Sequence, residues 1–415
     1  MPRRYPLSED LSGVAAADGL EARPAPSLNP SVLWLGWEAD PPRISQEELR
    51  SEVEPLCAAL LTLPAGERAR AVRKSGYRSK ALVEVVLERS ARAQVRDPGE
   101  SKDLAQLAGT LASQLLEAWE DSSGVSVYLA RAHYLAGNAW RLLGDPARAE
   151  SAFAAVPYHF GPGFGSLDRA FYCRALALLR WEQGRLEEAE ALFLRALHCF
   201  RETGQREEVG TTLALLALED FERWEESRRL RLEVAFGLVP WERRPFLTVR
   251  LGLALALVFA SQDAPDQALA MLVEMGRLAP QIRASEEHAH MDWWEGRVMA
   301  RLGVDIVAAG LLSSAGGRYL KERRIAEAVL CSLDEMLVLG EAGLRAEVRE
   351  LVDSLELRLR GEKGGEVAIA VARELRRDIE SGRKSDLRSV VRAKASTLRQ
   401  LLRRRGVHCD RLPFA

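Results

Sequence analysis

Residues 167–202 read LDRAFYCRALALLRWEQGRLEEAEALFLRALHCFRE and decide the fold. Apolar side chains recur at steps of three and four residues on both sides of a short polar break around Gly184. This spacing places them on one face of each of two α-helices. Glycine at the break takes the left-handed conformation that ends a helix at little cost. The stretch predicts two antiparallel helices, which need neighbours of their own kind to bury both apolar faces.

The break recurs along the chain at a nearly constant period. Its positions are 40, 38, 41, 40 and 40 residues apart, and they are Gly144, Gly184, Glu222, Asp263, Gly303 and Gly343. A small residue often follows after five positions, as Ala149 and Ala189 do, and a bulky one after nine. A fixed period with small and large residues in a fixed phase is typical of stacked-repeat solenoids. We expect six helix pairs, at about 125–156, 168–202, 206–236, 245–278, 284–320 and 323–358.

Two of these units resemble a known repeat. WRLLGDPARAESAF (140–153) and RWEQGRLEEAEALF (180–193) are similar to the helix-turn-helix core of the tetratricopeptide repeat (TPR) family, and WWEGRVMARLGVDIVAAGLL (293–312) is a more divergent copy. The resemblance covers about 125–358, with a period longer than the ~34 residues of that family. It implies a right-handed α-solenoid of helical hairpins, in a bacterial scaffold or regulator that binds a protein or peptide in its concave groove.

Composition supports an all-α chain organised around such a solenoid. Leu, Ala, Arg and Glu dominate the 415 residues, and they are strong helix formers. We expect a Pro-rich arm, a helical cap, a solenoid of about six hairpins and a second helical cap, at 1–43, 44–122, 123–360 and 361–415. Within the arm, Ser31–Trp37 (SVLWLGW) is unusually apolar. It is either a docking peptide, in cis on the solenoid or in trans on a partner, or a segment that packs on the first helix.

Cysteine usage and hydropathy predict the compartment. The five cysteines are scattered and form no C-x-x-C pair, which favours a reducing environment over a disulfide framework or a zinc site. No apolar run reaches the ~18 residues that a transmembrane helix needs. We therefore expect a cytoplasmic protein that does not enter a membrane.

No catalytic signature is present, so we expect a protein that is not an enzyme and needs no cofactor. The sequence lacks a nucleophile elbow, a Walker loop and a His-Glu-x-x-His motif. The cluster around His288, His290 and Asp292 is the one grouping of metal-ligand residue types. On a helix, His288 and His290 point in different directions, and His288 with Asp292 supplies too few ligands for a metal site.

Counting each unit in the TPR phase predicts which side chains line the groove. Arginines and aromatic residues on this stripe would suit a peptide with acidic and apolar groups, because they are enriched at binding hot spots and pair with carboxylates. The tryptophans have a simpler interpretation as core residues, and one of the adjacent Trp293 and Trp294 should face away from the other. The predicted partner-binding residues are Arg131, Tyr134, Asn138, Arg141, Arg174, Trp181, Arg250, His290, Trp293 and Arg297.

A basic segment near the C-terminus offers an alternative function. Residues 383–405 carry a net charge of +8, which leaves −10 for the rest of the chain. This helix could bind the phosphates of DNA or RNA in a regulatory protein, or it could lie on an anionic membrane, although its apolar face lacks aromatic anchors. Its regular apolar stripe also fits a cap over the last repeat, with solvated arginines.

Overall fold

The computed structural model describes residues 46–74, 79–94, 96–118, 123–160, 164–219, 226–282, 285–360, 362, 365–381, 394 and 397–398. These residues form seventeen α-helices and no strand. In chain order they are α1 (Gln46–Thr62), α2 (Ala65–Lys74), α3 (Lys80–Ala93), α4 (Pro98–Ala118), α5 (Ser123–Leu142), α6 (Pro146–Ala155), α7 (Ser166–Glu182), α8 (Leu186–Glu202), α9 (Arg206–Glu219), α10 (Glu226–Leu238), α11 (Pro245–Ser261), α12 (Pro265–Leu278), α13 (Ser285–Arg301), α14 (Asp305–Lys321), α15 (Ile325–Glu341), α16 (Arg345–Leu359) and α17 (Gly365–Glu380). The prediction of an all-α solenoid is confirmed.

Helices α5 to α16 form six antiparallel pairs, and the turn inside a pair has the chemistry that the repeat period predicts. Gly144, Gly184, Gly303 and Gly343 have φ between +76° and +78°, and Asp263 has φ +55° at the corresponding place. After each of these residues the chain closes the helix by a hydrogen bond to the carbonyl five residues earlier, at 3.0 Å after Gly144 and 2.8 Å after Gly184. This arrangement satisfies carbonyls that the helix end leaves without partners. The third turn, around Glu222, lies outside the described residues.

Small residues let the two helices of a pair approach closely. Ala149, Ala189, Ala268 and Ala308, all five positions after a break, are completely buried. On the facing helix of the first pair, a Cβ added to Gly137 would lie 3.0 Å from the ring of Phe153. The fixed phase of small and bulky residues in the sequence therefore reports the contact inside each pair.

The pairs stack through their first helices and through contacts between the second helix of one pair and the first helix of the next. In the described part of the chain, α5 packs on α7, α11 on α13 and α13 on α15, and no two second helices pack as closely. The first helices therefore lie on the inner side of the stack, where a solenoid forms its groove. Ahead of them, α1–α4 share an apolar core with the first pair. At the other end, α17 packs on α15 and α16.

No helix within the described ranges is long and apolar enough to cross a membrane. Several predictions fall outside those ranges. They are the Pro-rich arm at 1–43 with its apolar segment Ser31–Trp37, and most of the basic segment at 383–405.

Candidate functional site: the inner stripe

The ten predicted binding residues all lie on first helices, and we call them the inner stripe. They are Arg131, Tyr134, Asn138 and Arg141 on α5, Arg174 and Trp181 on α7, Arg250 on α11, and His290, Trp293 and Arg297 on α13. Most are buried or nearly so, and their side chains bind to neighbouring first helices. The stripe is therefore a seam between repeats.

The seam begins with Arg131 on α5. Its guanidinium donates from Nε and Nη2 to the two carboxylate oxygens of Asp168 on α7, at 2.7 and 2.9 Å. Burial opposes the charge of Arg131, but the hydrogen bond and the negative charge of Asp168 prevail and raise its pKa. Such two-point pairing fixes the position of one helix relative to the next. Tyr134 lies one turn along α5 and is buried.

A polar chain crosses three helices beside this pair. Gln94 follows α3, donates to the carbonyl of Leu135 at 3.1 Å and accepts from Asn138 Nδ2 at 2.8 Å. Asn138 Oδ1 accepts from Arg141 Nε at 2.9 Å, and Arg141 Nη1 donates to Glu182 at the end of α7. The N-terminal helices are thus connected to the first two repeats through the inner stripe.

Arg174 continues the seam from α7 to α9. Its guanidinium pairs with Glu208 and stands over the rings of Phe171 and Phe200, 5.2 and 5.0 Å from their centroids. Burial acts to raise the pKa of Glu208, but the charges of Arg174 and Arg244 lower it below its ordinary value. Arg244 approaches Glu208 to 3.6 Å from the loop before α11. The carboxylate therefore stays charged between two arginines.

The fifth repeat places a histidine among aromatic and basic side chains. His290 Nδ1 lies 3.2 Å from the hydroxyl of Tyr319. Burial, together with the charges of Arg250, Arg324 and Arg297, holds the pKa of His290 well below its ordinary value. The imidazole is therefore neutral near pH 7, and its tautomer decides which partner of the Tyr319 contact donates.

Trp293 is part of the seam and does not present an exposed aromatic surface. Its indole Nε1 donates to Asp334 on α15 at 2.8 Å, and Arg297 approaches the same carboxylate to 3.6 Å. Trp293, Trp294 and Trp181 are each 5% exposed. Trp293 and Trp294 belong to different apolar clusters, as expected if one indole faces away from the other, and both clusters are part of the core. The interpretation of the tryptophans as core residues is the one that the structure supports.

Sequence reasoning missed the acidic partners of the stripe. Asp168, Glu182, Glu208 and Asp334 each belong to the first helix of the following repeat, and they lie 37, 41, 34 and 41 residues after the donor that they bind. These separations are close to the repeat period. A search for an Arg or Trp followed by an acid about one period later would have found the seam.

Among the buried polar atoms of the stripe without a hydrogen-bond partner in the described part of the chain are the hydroxyl of Tyr134, Nη2 of Arg141 and Nε2 of His290. A buried polar atom without a partner is costly, by about 1–3 kcal/mol. Each of the three atoms is shielded from solvent, so this cost is borne inside the seam.

The structure offers little for metal binding or for the alternative site. Within the described residues, no group of three or more His, Cys, Asp or Glu side chains could hold a metal ion. Of the basic segment, Lys394 pairs with Glu374 and Asp378 of α17 at 3.0 and 3.3 Å, and Leu398 is buried in the core of the last repeat. These two residues fit a cap.

Comparison with known proteins shows the fold. No family model and no curated protein matches the sequence. The structure is similar to the crystal structure of a Rap protein complexed with competence and sporulation factor, with a TM-score of 0.52 at 14% sequence identity. The match covers 78% of this chain and 87% of that chain. The protein therefore has a TPR-like helical-repeat fold.

Proposed function

We propose that this protein is a divergent TPR scaffold or regulator that binds a protein or peptide in the groove lined by the inner stripe. The observation that carries the proposal is the helical-repeat stack itself, whose first helices carry the arginine and aromatic side chains of the inner stripe. The Rap protein, whose crystal structure holds a factor, supports the same role by fold alone. In this role the protein binds and does not catalyse.

The chemistry of the stripe indicates the ligand class. The partly exposed cations of the stripe are Arg131, Arg174 and Arg297, and Arg174 stands over two aromatic rings. Carboxylates and main-chain carbonyls bind such donors, and apolar side chains pack on the rings. An extended peptide with alternating acidic and apolar groups meets both demands.

The compartment belongs to the same proposal. Cys57, Cys173, Cys199 and Cys331 are unpaired. Burial raises the pKa of the Cys173 thiol to about 11 and that of Cys331 well above its ordinary value, so neither is poised as a thiolate nucleophile. We place the protein in a bacterial cytoplasm, where thiols stay reduced.

A charge swap tests the groove, with circular dichroism as the check on folding because Arg244 also faces position 208. Short random peptides displayed on phage are selected on the wild-type chain and then measured on Arg174→Glu/Glu208→Arg, which keeps an ion pair between α7 and α9. The matched control is Arg349→Glu/Glu380→Arg, a swap between α16 and α17 on an exposed pair. We expect the selected peptides to keep their affinity for the control and to lose at least about tenfold on the groove variant.

Two results would contradict the proposal. The first is a selection that enriches no peptide. The second is a set of peptides that bind the groove variant and the wild type equally while circular dichroism shows both to be folded. Retention of the chain on heparin at low salt, with no peptide bound, would instead favour the nucleic-acid function of residues 383–405.

A further inference from the structure

The outer side of the stack carries a ridge that repeats as regularly as the turns. On a second helix, the residues three, seven, ten and fourteen positions after the turn residue lie on one face, because they follow helical spacing. All four are exposed on α8, α12 and α16, and the first three are exposed on α14. The buried residues of these helices lie on the opposite face. We call these four positions the outer ridge.

The chemistry of the outer ridge changes along the stack. Val273 on α12 is 58% exposed and Ile306 on α14 is 87% exposed. From Ile306 to Gly317, α14 contains no charged residue. Exposed apolar surface that continues over two neighbouring repeats is typical of an interaction surface. On α8, α12, α14 and α16 in turn, the ridge residues are Glu187, Ala191, Leu194 and His198; Asp266, Ala270, Val273 and Arg277; Ile306, Gly310, Ser313 and Gly317; and Ala346, Glu350, Asp353 and Leu357.

The ridge of α12 is complementary to itself. It begins with Asp266 and ends with Arg277, and Ala270 and Val273 lie at equal distances from the midpoint between them. When two copies of a helix pack antiparallel across a twofold axis, positions equally distant from the midpoint face each other. Asp266 of each copy then faces Arg277 of the other, and Ala270 faces Val273. The helix therefore matches a second copy of this chain in both charge and size.

The two charges of this ridge are available to a partner. Asp266 and Arg277 are exposed, and neither forms an ion pair within the described residues. Exposed arginines on other second helices are paired inside their own molecule, as Arg185 is with Glu188 and Arg349 is with a glutamate of α17. A partner with the opposite arrangement of charges is therefore the one that fits α12.

The neighbouring helix α14 fits the same axis. A twofold axis that runs along the stack keeps each repeat opposite its own copy, so α14 faces α14. Ile306 then faces Gly317 of the other copy, and Gly310 faces Ser313. Large side chains thus meet small ones, which is the arrangement that lets two surfaces pack closely.

The sixth repeat does not fit this contact. The two middle positions of its ridge are Glu350 and Asp353, both of which are exposed. Across the same axis they would face each other as like charges, and such a juxtaposition opposes association. The self-complementary surface is therefore confined to the fourth and fifth repeats.

We propose that two copies of this chain form a dimer across a twofold axis through the outer ridges of α12 and α14. The apolar and small residues supply the contact area. The two pairs between Asp266 and Arg277 set the antiparallel orientation, because exposed ion pairs contribute more to specificity than to affinity. Both subunits use the same patch, so the assembly closes at two copies. The contact lies on the side away from the groove and does not depend on the proposed function.

Charge reversal in the full-length chain tests the contact. Sedimentation velocity at micromolar concentrations measures the dissociation constant of the dimer. Asp266→Arg places two arginines opposite each other at both ends of the contact, so the dissociation constant should rise at least about tenfold. Asp266→Arg/Arg277→Asp restores opposite charges across the axis and should restore the dissociation constant of the wild type.

The swap also separates the contact from an effect on the helix itself. An acid at the start of α12 and a base at its end favour the helix through its dipole. The swap removes this benefit and should lower the thermal stability slightly, although it restores the dimer. Glu350→Arg, which reverses an exposed acid on the ridge of α16, is the matched control and should leave the dissociation constant unchanged. Circular dichroism checks that every variant is folded.

A second variant tests the apolar centre of the contact. Val273→Glu places a carboxylate in the middle of the ridge, at a position exposed enough for the fold to tolerate it, and should weaken the dimer at least about tenfold. Three results would each overturn the proposal. They are a wild type that stays monomeric, a dimer that persists in both Asp266→Arg and Val273→Glu, and a swap variant that dimerises no better than Asp266→Arg.

Peptide binding distinguishes this inference from the proposed function. A chain that dimerises through α12 but enriches no peptide refutes only the ligand-binding role. Conversely, a wild type that binds selected peptides and remains a monomer refutes only the dimer.

Discussion

The front and the middle of the inner stripe hold neighbouring helices together with opposite chemistry. Between α5 and α7 the contact is ionic, through Arg131 with Asp168 and Arg141 with Glu182. Around α11 it is apolar, and the helix is hydrophobic over nearly its whole length. An ion pair fixes the relative position of two helices because each group has one partner, whereas an apolar face accepts many neighbours. The front is therefore suited to hold the repeats in register, whereas the middle is held together by apolar packing.

The largest expected effect comes from removing one member of the deepest ion pair. The side chains of Arg141 and Glu182 are 1% and 9% exposed. Glu182→Ala leaves the guanidinium of Arg141 buried with Asn138 as its described neighbour, so the free energy of unfolding should fall by about 3–5 kcal/mol. Urea denaturation followed by circular dichroism measures this loss.

A double variant shows whether the loss comes from the unpaired charge. Arg141→Met/Glu182→Leu removes both charges and should recover most of the stability, to within about 1–2 kcal/mol of the wild type. Glu380→Ala breaks an exposed pair with Arg349 and should cost far less than Glu182→Ala, because water screens an exposed ion pair. If Glu182→Ala costs no more than Glu380→Ala, the front of the stripe is not held by its ion pairs.

In the middle of the stripe, the free energy of unfolding should depend on side-chain volume. Gly252→Ala places a methyl group 2.1 Å from Sδ of the buried Met275, and this clash should lower the free energy of unfolding by about 1–3 kcal/mol. Gly276→Ala, on the partner helix α12, meets nothing within 4 Å and should stabilise the fold slightly through helix propensity. Thermal unfolding of the two variants side by side provides the measurement. A stable Gly252→Ala variant would mean that the α11–α12 contact is looser than its geometry indicates.

His290 in the fifth repeat should make the free energy of unfolding depend on pH. His290 is neutral in the folded protein because burial and the neighbouring arginines lower its pKa, while in the unfolded chain it titrates near 6.5. Below pH 6.5 the unfolded state binds the extra proton, so stability should fall as the pH drops. The loss from this group is at most about 1.4 kcal/mol per pH unit, down to the folded-state pKa.

Replacing the histidine isolates its contribution. Gln at position 290 can still hydrogen bond to Tyr319 but does not titrate, so His290→Gln should flatten the fall in stability between pH 6.5 and 5.5, within the window set by the histidine pKa near 6.5. The difference between variant and wild type at pH 8 gives the part that does not depend on protonation. If the free energy of unfolding changes with pH identically in both chains, His290 is more exposed to solvent than its contacts indicate.

The sequence predicted the helix pairs and their turns because both depend on local chemistry. Gly144 and Gly184 need the left-handed conformation, and Ala149 and Ala189 need close contact, so each shows itself in the one-dimensional pattern. Asp263 marks its break equally well, since an Asp tolerates positive φ better than most residues.

The character of the stripe was harder to predict. The TPR phase placed all ten residues on first helices, but it could not show that half of them are already paired with the following repeat. Asp168 and Glu208 are ordinary acids in the sequence. Their role appears only when the repeats stack, because each accepts a hydrogen bond from an arginine of the preceding repeat. Burial of Trp181 and Trp293 is likewise decided by the neighbouring pair. Contacts between repeats are long-range, and a single-sequence pattern records them weakly.

An exposed glycine in the second helix α14 should show the smallest effect. Gly310, in α14, meets nothing within 4 Å of an added Cβ. Gly310→Ala should therefore raise the free energy of unfolding by up to about 1 kcal/mol, because alanine loses less backbone entropy in a helix. Differential scanning calorimetry would detect the change. A destabilised variant would show that the outer face of α14 makes a contact. The comparison would then include the outer face as well as the ionic front and the apolar middle of the inner stripe.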